Sequence, residues 1–397
     1  MDYFERATQL KDEISKNRRY IHQNAEVGMD LPKACDFVMT KLKEMGYEPK
    51  VIGGCGVTAT IGNGNGKTIL LRADMDALPM KEESGETFAS NSDNAAHTCG
   101  HDLHAAMLLG AAKLLKENEQ AIEGNIKLVF QPGEEIFKGA KALIAEGILE
   151  NPKVDAALAY HVGPGKMPVG LHMYNDKDTM MYSNDGFKIT VYGKGAHGAY
   201  PQQSIDPINI AVQIYLGLQE IIAREVDSSK PSVMTIGKLS AGYANNIIPE
   251  TAEIQGSIRT TSVENRKIMV SRMKEVASKI AEVYRGRAEV EMISEVPPLI
   301  CDPEFTKEIL SYMGELEVPG QMGVPGIQAS ASDDFATILE KVPGCYMFLS
   351  AGYTDRDVAP SHNPKVIFNE GVLPIGAAYL AHCATRWLEN HKTKLIQ

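Results

Sequence analysis

The order of helix and strand signals along the chain constrains its fold more than any other feature of the sequence. Apolar residues at helical spacing predict a helix over 31–45, which Gly46 ends. Beyond it, predicted strands alternate with helices, the strands at Val57–Ile61, Thr68–Arg72, Ile126–Phe130 and Val154–Tyr160 and the helices at Leu103–Leu115 and Ala140–Ala145. This alternation is typical of an α/β fold, so we expect a mixed, mostly parallel sheet flanked by helices.

The order of elements changes at about Asp185. The signals then predict strand, helix, strand, strand, helix and strand, at Phe187–Tyr192, Pro207–Arg224, Ser232–Ile236, Ala252–Arg259, Ser262–Arg285 and Glu289–Ile293. This is the order of a split βαβ, ferredoxin-like unit. We therefore predict an α+β domain over 185–296 that is inserted into a larger, discontinuous domain over 1–184 and 297–397. The larger domain would resume at Pro297-Pro298, add a strand at Cys345–Ser350 and close with a helix near Gly371–Asn390.

Charge and hydropathy exclude two classes of partner. The chain carries 51 acidic and 40 basic residues, a net charge of −11, and shows no basic footprint, so we expect no nucleic-acid partner. It has no apolar run of about 18 residues, so we expect no membrane span. The first residues lack the charged and apolar regions of a signal peptide, which favours the cytoplasm. The six cysteines form no CxxC pair, which is unlike a disulfide framework.

The densest group of chemically active residues is His97-Thr98-Cys99-Gly100-His101-Asp102-Leu103-His104. Thiolate and imidazole are the preferred ligands of zinc and related divalent ions. Cys99 and His101 are two positions apart and would face one way in an extended chain, while Gly100 allows a tight turn. The alternative is that Asp102 only caps the following helix and that the histidines are solvated.

A second group, Gln131-Pro132-Gly133-Glu134-Glu135, follows a predicted strand. Adjacent side chains in such a turn can point to two places, so one carboxylate can bind a metal while its neighbour holds a water molecule. The alternative is a solvated surface pair. Asp74 and Asp76, which follow another apolar run, would share one face at the end of a strand.

An aspartate in that position often accepts the free N–H of a ligand histidine, although turn formation explains the pair equally well. His161 ends a further strand and His362 lies between two prolines. Either histidine alone is more typical of a structural role. A metal-binding role for both is indicated only in combination with the cysteine, histidine and carboxylate groups above.

Taken in order, these pieces resemble the M20 metallopeptidase family, specifically its amidohydrolase branch of aminoacylase, hippurate hydrolase and auxin-conjugate hydrolase type. The resemblance runs over nearly the whole chain, and each piece is weak alone. The matching pieces are Arg18–Gly28, Asp74–Pro79, Cys99–His104, Pro132–Glu135, His161–Pro164, Gly193–His197, Asn246–Pro249, Arg259, Ser332–Phe335 and His362–Pro364.

The resemblance implies a site with two divalent metal ions, which could be Zn, Mn, Co or Ni. Five residues match the family's metal ligands: Cys99, His101, Glu135, His161 and His362. Since five side chains serve two ions, a shared ligand and a bridging water are expected. Glu134 matches the general base, and Asp76 matches the acidic residue behind the metal site. The role of Asp74 stays open, because much of the wider family has a histidine ligand there.

The resemblance also implies that the inserted domain acts as a dimerisation and lid domain in a homodimer. His197 is similar to a histidine that reaches the neighbouring subunit's active site, and Asn246 and Arg259 match residues proposed to hold the substrate. An arginine fork suits a carboxylate. One departure is Asp333, where the family usually has glutamate, which could alter a substrate pocket or a hydrogen bond behind the site.

The expected function is therefore hydrolysis of the amide bond of N-acyl amino acids, a small-molecule substrate, to a carboxylic acid and a free amino acid. Glu134 would take a proton from the bridging water and return it to the leaving amine. Two alternatives remain: a dipeptidase or carboxypeptidase of the same family, and a non-catalytic metal-binding homologue. The acyl group, the amino acid and the metal are left open by the sequence.

Overall fold

The computed structural model describes residues 1–392 of the chain. The helices are α1 (Tyr3–Gln9), α2 (Lys11–Gln23), α3 (Pro32–Glu44), α4 (His101–Glu117), α5 (Gly139–Ala145), α6 (Pro207–Glu220), α7 (Val263–Val283), α8 (Pro303–Met313), α9 (Phe335–Leu339) and α10 (Val372–Asn390). Within this described range, no helix has both the length and the apolar character needed to cross a membrane.

The strands are β1 (Lys50–Ile52), β2 (Gly56–Gly62), β3 (Thr68–Asp74), β4 (Asn125–Gln131), β5 (Ala156–Gly163), β6 (Leu171–Met173), β7 (Thr179–Met181), β8 (Asp185–Tyr192), β9 (Ala196–His197), β10 (Ser232–Ala241), β11 (Ile247–Ile248), β12 (Thr251–Thr260), β13 (Arg287–Met292), β14 (Leu299–Ile300), β15 (Met322–Val324) and β16 (Gly344–Ser350). The chain divides into two compact units. The first contains Met1–Met180, Ile300–Gln328 and the described residues from Asp333, and the second contains Met181–Leu299 and Ala329–Ser332.

The first unit is built on an eight-stranded mixed sheet in the order β1-β2-β4-β3-β5-β16-β6-β15. The four central strands, β4, β3, β5 and β16, run parallel to one another. Strands β3 and β4 are buried along their whole length, as expected of parallel strands covered on both faces. The predicted mixed, mostly parallel sheet is confirmed, and the carboxyl ends of its central strands meet at one edge.

Helix α4 carries part of the histidine-rich motif into the core of this unit. It is apolar around most of its circumference, and 14 of its 17 residues are buried, which is typical of a core helix. It packs against α10, which is nearly as buried. The first residue of α4, His101, is therefore fixed to a rigid element at the edge where the central strands end.

The second unit is a four-stranded antiparallel sheet in the order β10-β12-β8-β13. Its element order, β8-α6-β10-β12-α7-β13, together with this strand order, is the arrangement of a ferredoxin-like unit. Helices α6 and α7 contribute to one hydrophobic core with the sheet. Two predicted bounds differ: the helix from Pro207 becomes a π turn at Ile221–Glu225, and the strand from Ser232 continues past a bulge to Ala241.

Candidate metal centre

The candidate site lies at the carboxyl ends of three neighbouring strands of the first unit. Asp74 ends β3 and pairs in register with Gln131, which ends β4. The turn that carries Glu134 follows β4, and His161 lies near the end of β5. In open α/β sheets this edge is where ligands bind, since loops from neighbouring strands converge there.

The carboxylate of Asp76 fixes the turn that carries the two adjacent glutamates. It accepts the backbone N–H of Glu134 at 3.0 Å and that of Glu135 at 3.1 Å. The Nδ1–H of His101 donates to the backbone oxygen of Asp76 at 2.8 Å. His101 is therefore held by the backbone oxygen of Asp76, while the Asp76 carboxylate holds the turn with the two glutamates.

A turn at Gly100 brings Cys99 and His101 to the same place. Gly100 has a φ of +96°, and a Cβ there would lie 2.4 Å from Cγ2 of Val162. The left-handed conformation and the close approach both require glycine. The chain therefore turns here rather than running extended.

Asp102 does not cap α4, since no side chain caps that helix. Its Oδ2 instead accepts from Nε of Arg18 at 2.7 Å and from Nδ1 of His22 at 2.9 Å. The alternative in which Asp102 is only a helix cap is thus wrong. The buried ion pair ties α2 to the start of α4, directly beside His101.

All five residues that the resemblance implies as metal ligands converge, in two groups that share Cys99. The side chains of Cys99, His101 and His161 have ligand atoms within 4.8 Å of one another, and so do those of Cys99, Glu135 and His362. Sγ of Cys99 lies 3.4 Å from Nε2 of His161 and 3.3 Å from Nε2 of His362. Cys99 is thus the residue common to both groups, and its sulfur would be available to ions held by either of them.

The donor set fits divalent metal ions. Nε2 of His101 and Oε1 of Glu135 are buried and have no hydrogen-bond partner within residues 1–392. In His101 and His161, Nδ1 bonds a backbone oxygen, which leaves Nε2 as the lone-pair donor toward Cys99. A mixed set of sulfur, nitrogen and oxygen donors suits zinc and its neighbours.

Burial shifts the pKa of several side chains in the candidate site. Burial and the nearby Asp333 and Glu135 carboxylates raise the pKa of Glu134 well above its ordinary value. Burial also raises the pKa of Glu135 and of the Cys99 thiol. Burial lowers the pKa of His161 well below its ordinary value, which keeps the imidazole neutral, as a ligand must be. Divalent cations would stabilise the thiolate and the carboxylates in this site.

The main chain at His362 adopts a left-handed conformation, with a φ of +62°. Such backbone conformations are costly for residues other than glycine, and they concentrate at functional sites. The N–H of His362 donates to the backbone oxygen of Thr98 at 2.9 Å, which ties the loop to the segment before Cys99. The side chain of His362 is 53% exposed and is the most accessible of the five.

His104 lies one turn after His101 but has both ring nitrogens occupied. Its Nδ1–H donates to Oδ1 of Asp74 at 2.5 Å, and its Nε2 accepts the backbone N–H of Val162 at 2.8 Å. The ring therefore has no lone pair left for a metal. Instead it fixes the backbone next to His161, so its role is to position that strand end.

The sequence reasoning missed a buried cluster behind the site. The guanidinium of Arg72 donates to Asp74 at 2.6 Å, to Asp333 at 3.0 and 3.2 Å, to Asp334 at 3.2 Å and to Gln131 at 3.0 Å. These five residues, which we call the Arg72 cluster, are at most 2% exposed. An arginine inside a strand of apolar residues was the available signal, because a fully buried charge must be paired.

The predicted substrate-binding residues His197, Asn246 and Arg259 belong to the second unit. His197 is exposed in β9, and the N–H of Gly198 donates to the backbone oxygen of Asn246 at 2.8 Å. His197 and Asn246 are thus neighbours in a short ladder. Arg259 lies on β12, where its guanidinium donates to Oγ of Ser332 at 3.3 Å.

The sequence pattern of peptidase family M20/M25/M40 matches residues 70–386. The chain belongs to this family. The predicted M20 membership is confirmed, and this member of the family is an enzyme that hydrolyses amide bonds.

Three similar proteins illustrate the breadth of the family. Hippurate hydrolase of Campylobacter jejuni is 35% identical to this M20 protein, over 96% of this chain and 98% of its own. Thermostable carboxypeptidase 2 of Saccharolobus solfataricus is 36% identical over 94% of each chain. A Bacillus subtilis crystal structure, described as a dinuclear metal binding peptidase from the M20 family, has a TM-score of 0.79 at 30% identity, over 96% of this chain and 99% of that one.

Proposed function

We propose that this chain cleaves the amide bond of small N-acyl amino acids, giving a carboxylic acid and a free amino acid, with two divalent metal ions. The observation that carries the proposal is the set of five donor residues that share Cys99 and leave buried lone pairs unpaired, directly beside Glu134. The likeness to a hippurate hydrolase supports the substrate class. The likeness to a carboxypeptidase keeps peptide cleavage as the second candidate.

In this proposal, Cys99, His101 and His161 hold one ion, and Cys99, Glu135 and His362 hold the other. When bound, such ions polarise an amide carbonyl and lower the pKa of a water molecule to about 7. The ions are Zn, Mn, Co or Ni, because thiolate, imidazole and carboxylate together suit any of these.

Glu134 acts as the general base. Burial and the neighbouring carboxylates raise its pKa, which makes the ionised Glu134 a stronger base that can take a proton from the attacking water and give it back. After the carbonyl carbon has been attacked, Glu134 delivers that proton to the leaving nitrogen, and the C–N bond breaks. Asp76 holds the Glu134 backbone in place throughout, so we assign it a supporting role rather than a proton-transfer role.

The second unit supplies substrate contacts in this proposal. Arg259 and Asn246 bind the substrate, the arginine through the carboxylate of the amino-acid part, since its fork can bind both oxygens. His197 of the partner subunit stabilises the oxyanion that forms at the carbonyl.

We further propose that the protein is a homodimer joined through the second unit. Helix α6 exposes apolar side chains at helical spacing, Ile208, Val212, Tyr215 and Leu216, each at least 39% exposed. Strand β10 is an edge of the four-stranded sheet and exposes Val233 and Leu239. An apolar stripe beside an open strand edge fits a second copy of the same surface.

The dimer can be tested by the double substitution Val212→Lys and Leu216→Glu. We expect the mass in solution to fall to that of one chain and activity to drop, while the metal content stays unchanged. Val283→Glu, which alters another exposed apolar residue of this unit, is the matched control. A monomeric variant with full activity would contradict the role of His197 in the partner's site.

The function is tested by amine release from a panel of N-acyl amino acids and dipeptides, using metal-stripped enzyme refilled with Zn, Mn or Co. We expect metal-dependent cleavage of N-acyl amino acids. A clear preference for dipeptides would replace the proposal with the peptidase alternative. Two bound metals with no cleavage across the whole panel would reject both of these substrate classes.

A further inference from the structure

Arg72 lies in β3, which is buried along its whole length, two residues before the end of the strand. Residues two apart in a strand share a face, so Arg72 and Asp74 point to the same side of the sheet. The charge is not exposed to solvent, since the side chain of Arg72 is 1% accessible. It is a cation fixed within the protein, next to the candidate metal centre.

Every N–H of the Arg72 guanidinium has an acceptor. Nε donates to Gln131, Nη1 to Asp74 and Asp333, and Nη2 to Asp333 and Asp334, which accounts for all five donors of the group. Arg72 therefore joins the ends of β3 and β4 to the segment at Asp333. If any acceptor in the cluster were removed, part of the buried charge would be left unpaired.

The acceptors of Arg72 are tied in turn to the segments that follow the two strands. Asp334 also accepts the side-chain N–H of Gln131 at 2.6 Å and the backbone N–H of Ala140, the second residue of α5, at 2.9 Å. The turn with Glu134 lies between these two points. The Arg72 cluster thus fixes both ends of the segment that carries the general base.

Asp74 is the member of the cluster closest to the candidate ligands. Its Oδ2, which Arg72 binds at 2.6 Å, lies only 3.6 Å from Nε2 of His101. That nitrogen is the buried lone-pair donor without a hydrogen-bond partner. An ion bound there would be within reach of Asp74 as well, so the partner of Oδ2 decides whether Asp74 can become a ligand.

We propose that Arg72 is a positioning residue that keeps Asp74 out of the metal coordination sphere and holds the turn with Glu134 in its place. The inference rests on the proposed metal centre but not on the identity of the substrate. If Arg72 were lost, Oδ2 of Asp74 would lose its partner, while Oδ1 would keep its hydrogen bond from His104. The bound ion would then be the cation left beside Oδ2. Asp74 would then bind the metal and occupy a position that the substrate or water needs.

The test uses full-length enzyme loaded with Co²⁺, whose visible spectrum reports coordination number. In Arg72→Gln we expect weaker visible absorption per Co²⁺, because an added carboxylate ligand raises the coordination number. We expect kcat to fall about 10–100-fold with little change in KM, as is typical when a group that orients ligands is lost. In the double variant Arg72→Gln with Asp74→Asn, the spectrum should return to that of the unaltered enzyme.

Asp333→Asn is the matched control, since it removes a carboxylate from the same cluster but leaves Asp74 bound to Arg72. Its Co²⁺ spectrum should match that of the unaltered enzyme. Should Arg72→Gln fail to fold, Arg72→Lys keeps the charge with fewer donors, and a smaller spectral change that Asp74→Asn reverses is expected.

Two results would overturn the inference: an unchanged spectrum in the Arg72 variants that fold, or a change that persists after Asp74→Asn. Failure of the unaltered enzyme to bind Co²⁺ would instead reject the metal centre itself. The two failures are therefore distinguishable before any substrate is added.

Discussion

The candidate metal centre and the Arg72 cluster are neighbouring buried polar regions of the first unit, yet they differ in how their atoms are paired. In the Arg72 cluster, all five guanidinium N–H groups meet an acceptor. In the metal centre, His101 and Glu135 each keep a buried atom without a hydrogen-bond partner among residues 1–392. Buried polar atoms are nearly always paired, so two unpaired donors beside Cys99 are consistent with a missing ligand at this place. Catalysis is therefore expected at the metal centre, and structural support from the Arg72 cluster.

The largest effect should come from Glu134, which lies between the two regions. Replacing it with glutamine keeps the size of the side chain and removes the base, so kcat should fall about 10²–10⁴-fold. Because Glu134 is not one of the five donors, metal analysis should still find two ions per chain. Glu135→Gln is the matched comparison, since it should reduce metal content. Substantial turnover by Glu134→Gln would reject Glu134 as the base.

A smaller effect, and one that tests the comparison most directly, is expected from His101 and His104. His101→Gln should lose metal and activity, because Nε2 of His101 is a candidate metal donor without a hydrogen-bond partner within residues 1–392. It should also lose some stability, because the hydrogen bond from Nδ1 to the backbone oxygen of Asp76 is broken. His104→Gln should keep its metal but lower the free energy of unfolding by about 1–3 kcal/mol, because it breaks a buried hydrogen bond on each side of the ring. Metal content and thermal unfolding, measured on both variants, test whether His101 is a metal ligand and His104 a structural residue. If His104→Gln lost its metal and His101→Gln kept it, His104 rather than His101 would be the metal ligand.

The order of elements could be predicted from the sequence because it depends on local patterns. The alternating strands and helices of the first unit and the β-α-β-β-α-β order of the second both follow from apolar periodicity. Bounds were less certain where local signals are weak. The helix from Pro207 gives way to a π turn at Ile221, and Ala329–Ser332 joins the second unit from far along the chain.

The candidate site divides in a similar way. Cys99, His101 and Glu135 lie in short motifs whose residue types predict metal binding. The resemblance to the family then added His161 and His362 to the same site. The Arg72 cluster could not be found like this, because Arg72 and Asp333 are 261 positions apart and meet only through the fold. The sequence also could not predict that the backbone oxygen of Asp76 accepts from His101, since this depends on how the Asp76 carboxylate holds the turn at Glu134.

The last comparison concerns a third buried polar group, in which His22 contacts Asp102 and Glu82. Burial alone would lower the pKa of His22, but the two carboxylates outweigh it and raise the pKa to about 9. The folded protein then holds a proton that the unfolded chain releases above its own pKa of about 6.5. This stabilisation is complete below about pH 6.5 and is lost as the pH rises through about 9.

His22→Gln should therefore differ most from the unaltered protein at pH 6. The difference in the free energy of unfolding should shrink by about 1.4 kcal/mol per pH unit between about pH 6.5 and 9. Denaturant unfolding of both proteins at several pH values measures it, and subtraction cancels the groups that titrate in both. A difference that does not change with pH would mean that His22 is neutral in the folded protein. This third group would then be held by neutral hydrogen bonds around its imidazole rather than by the charge pairing found around Arg72.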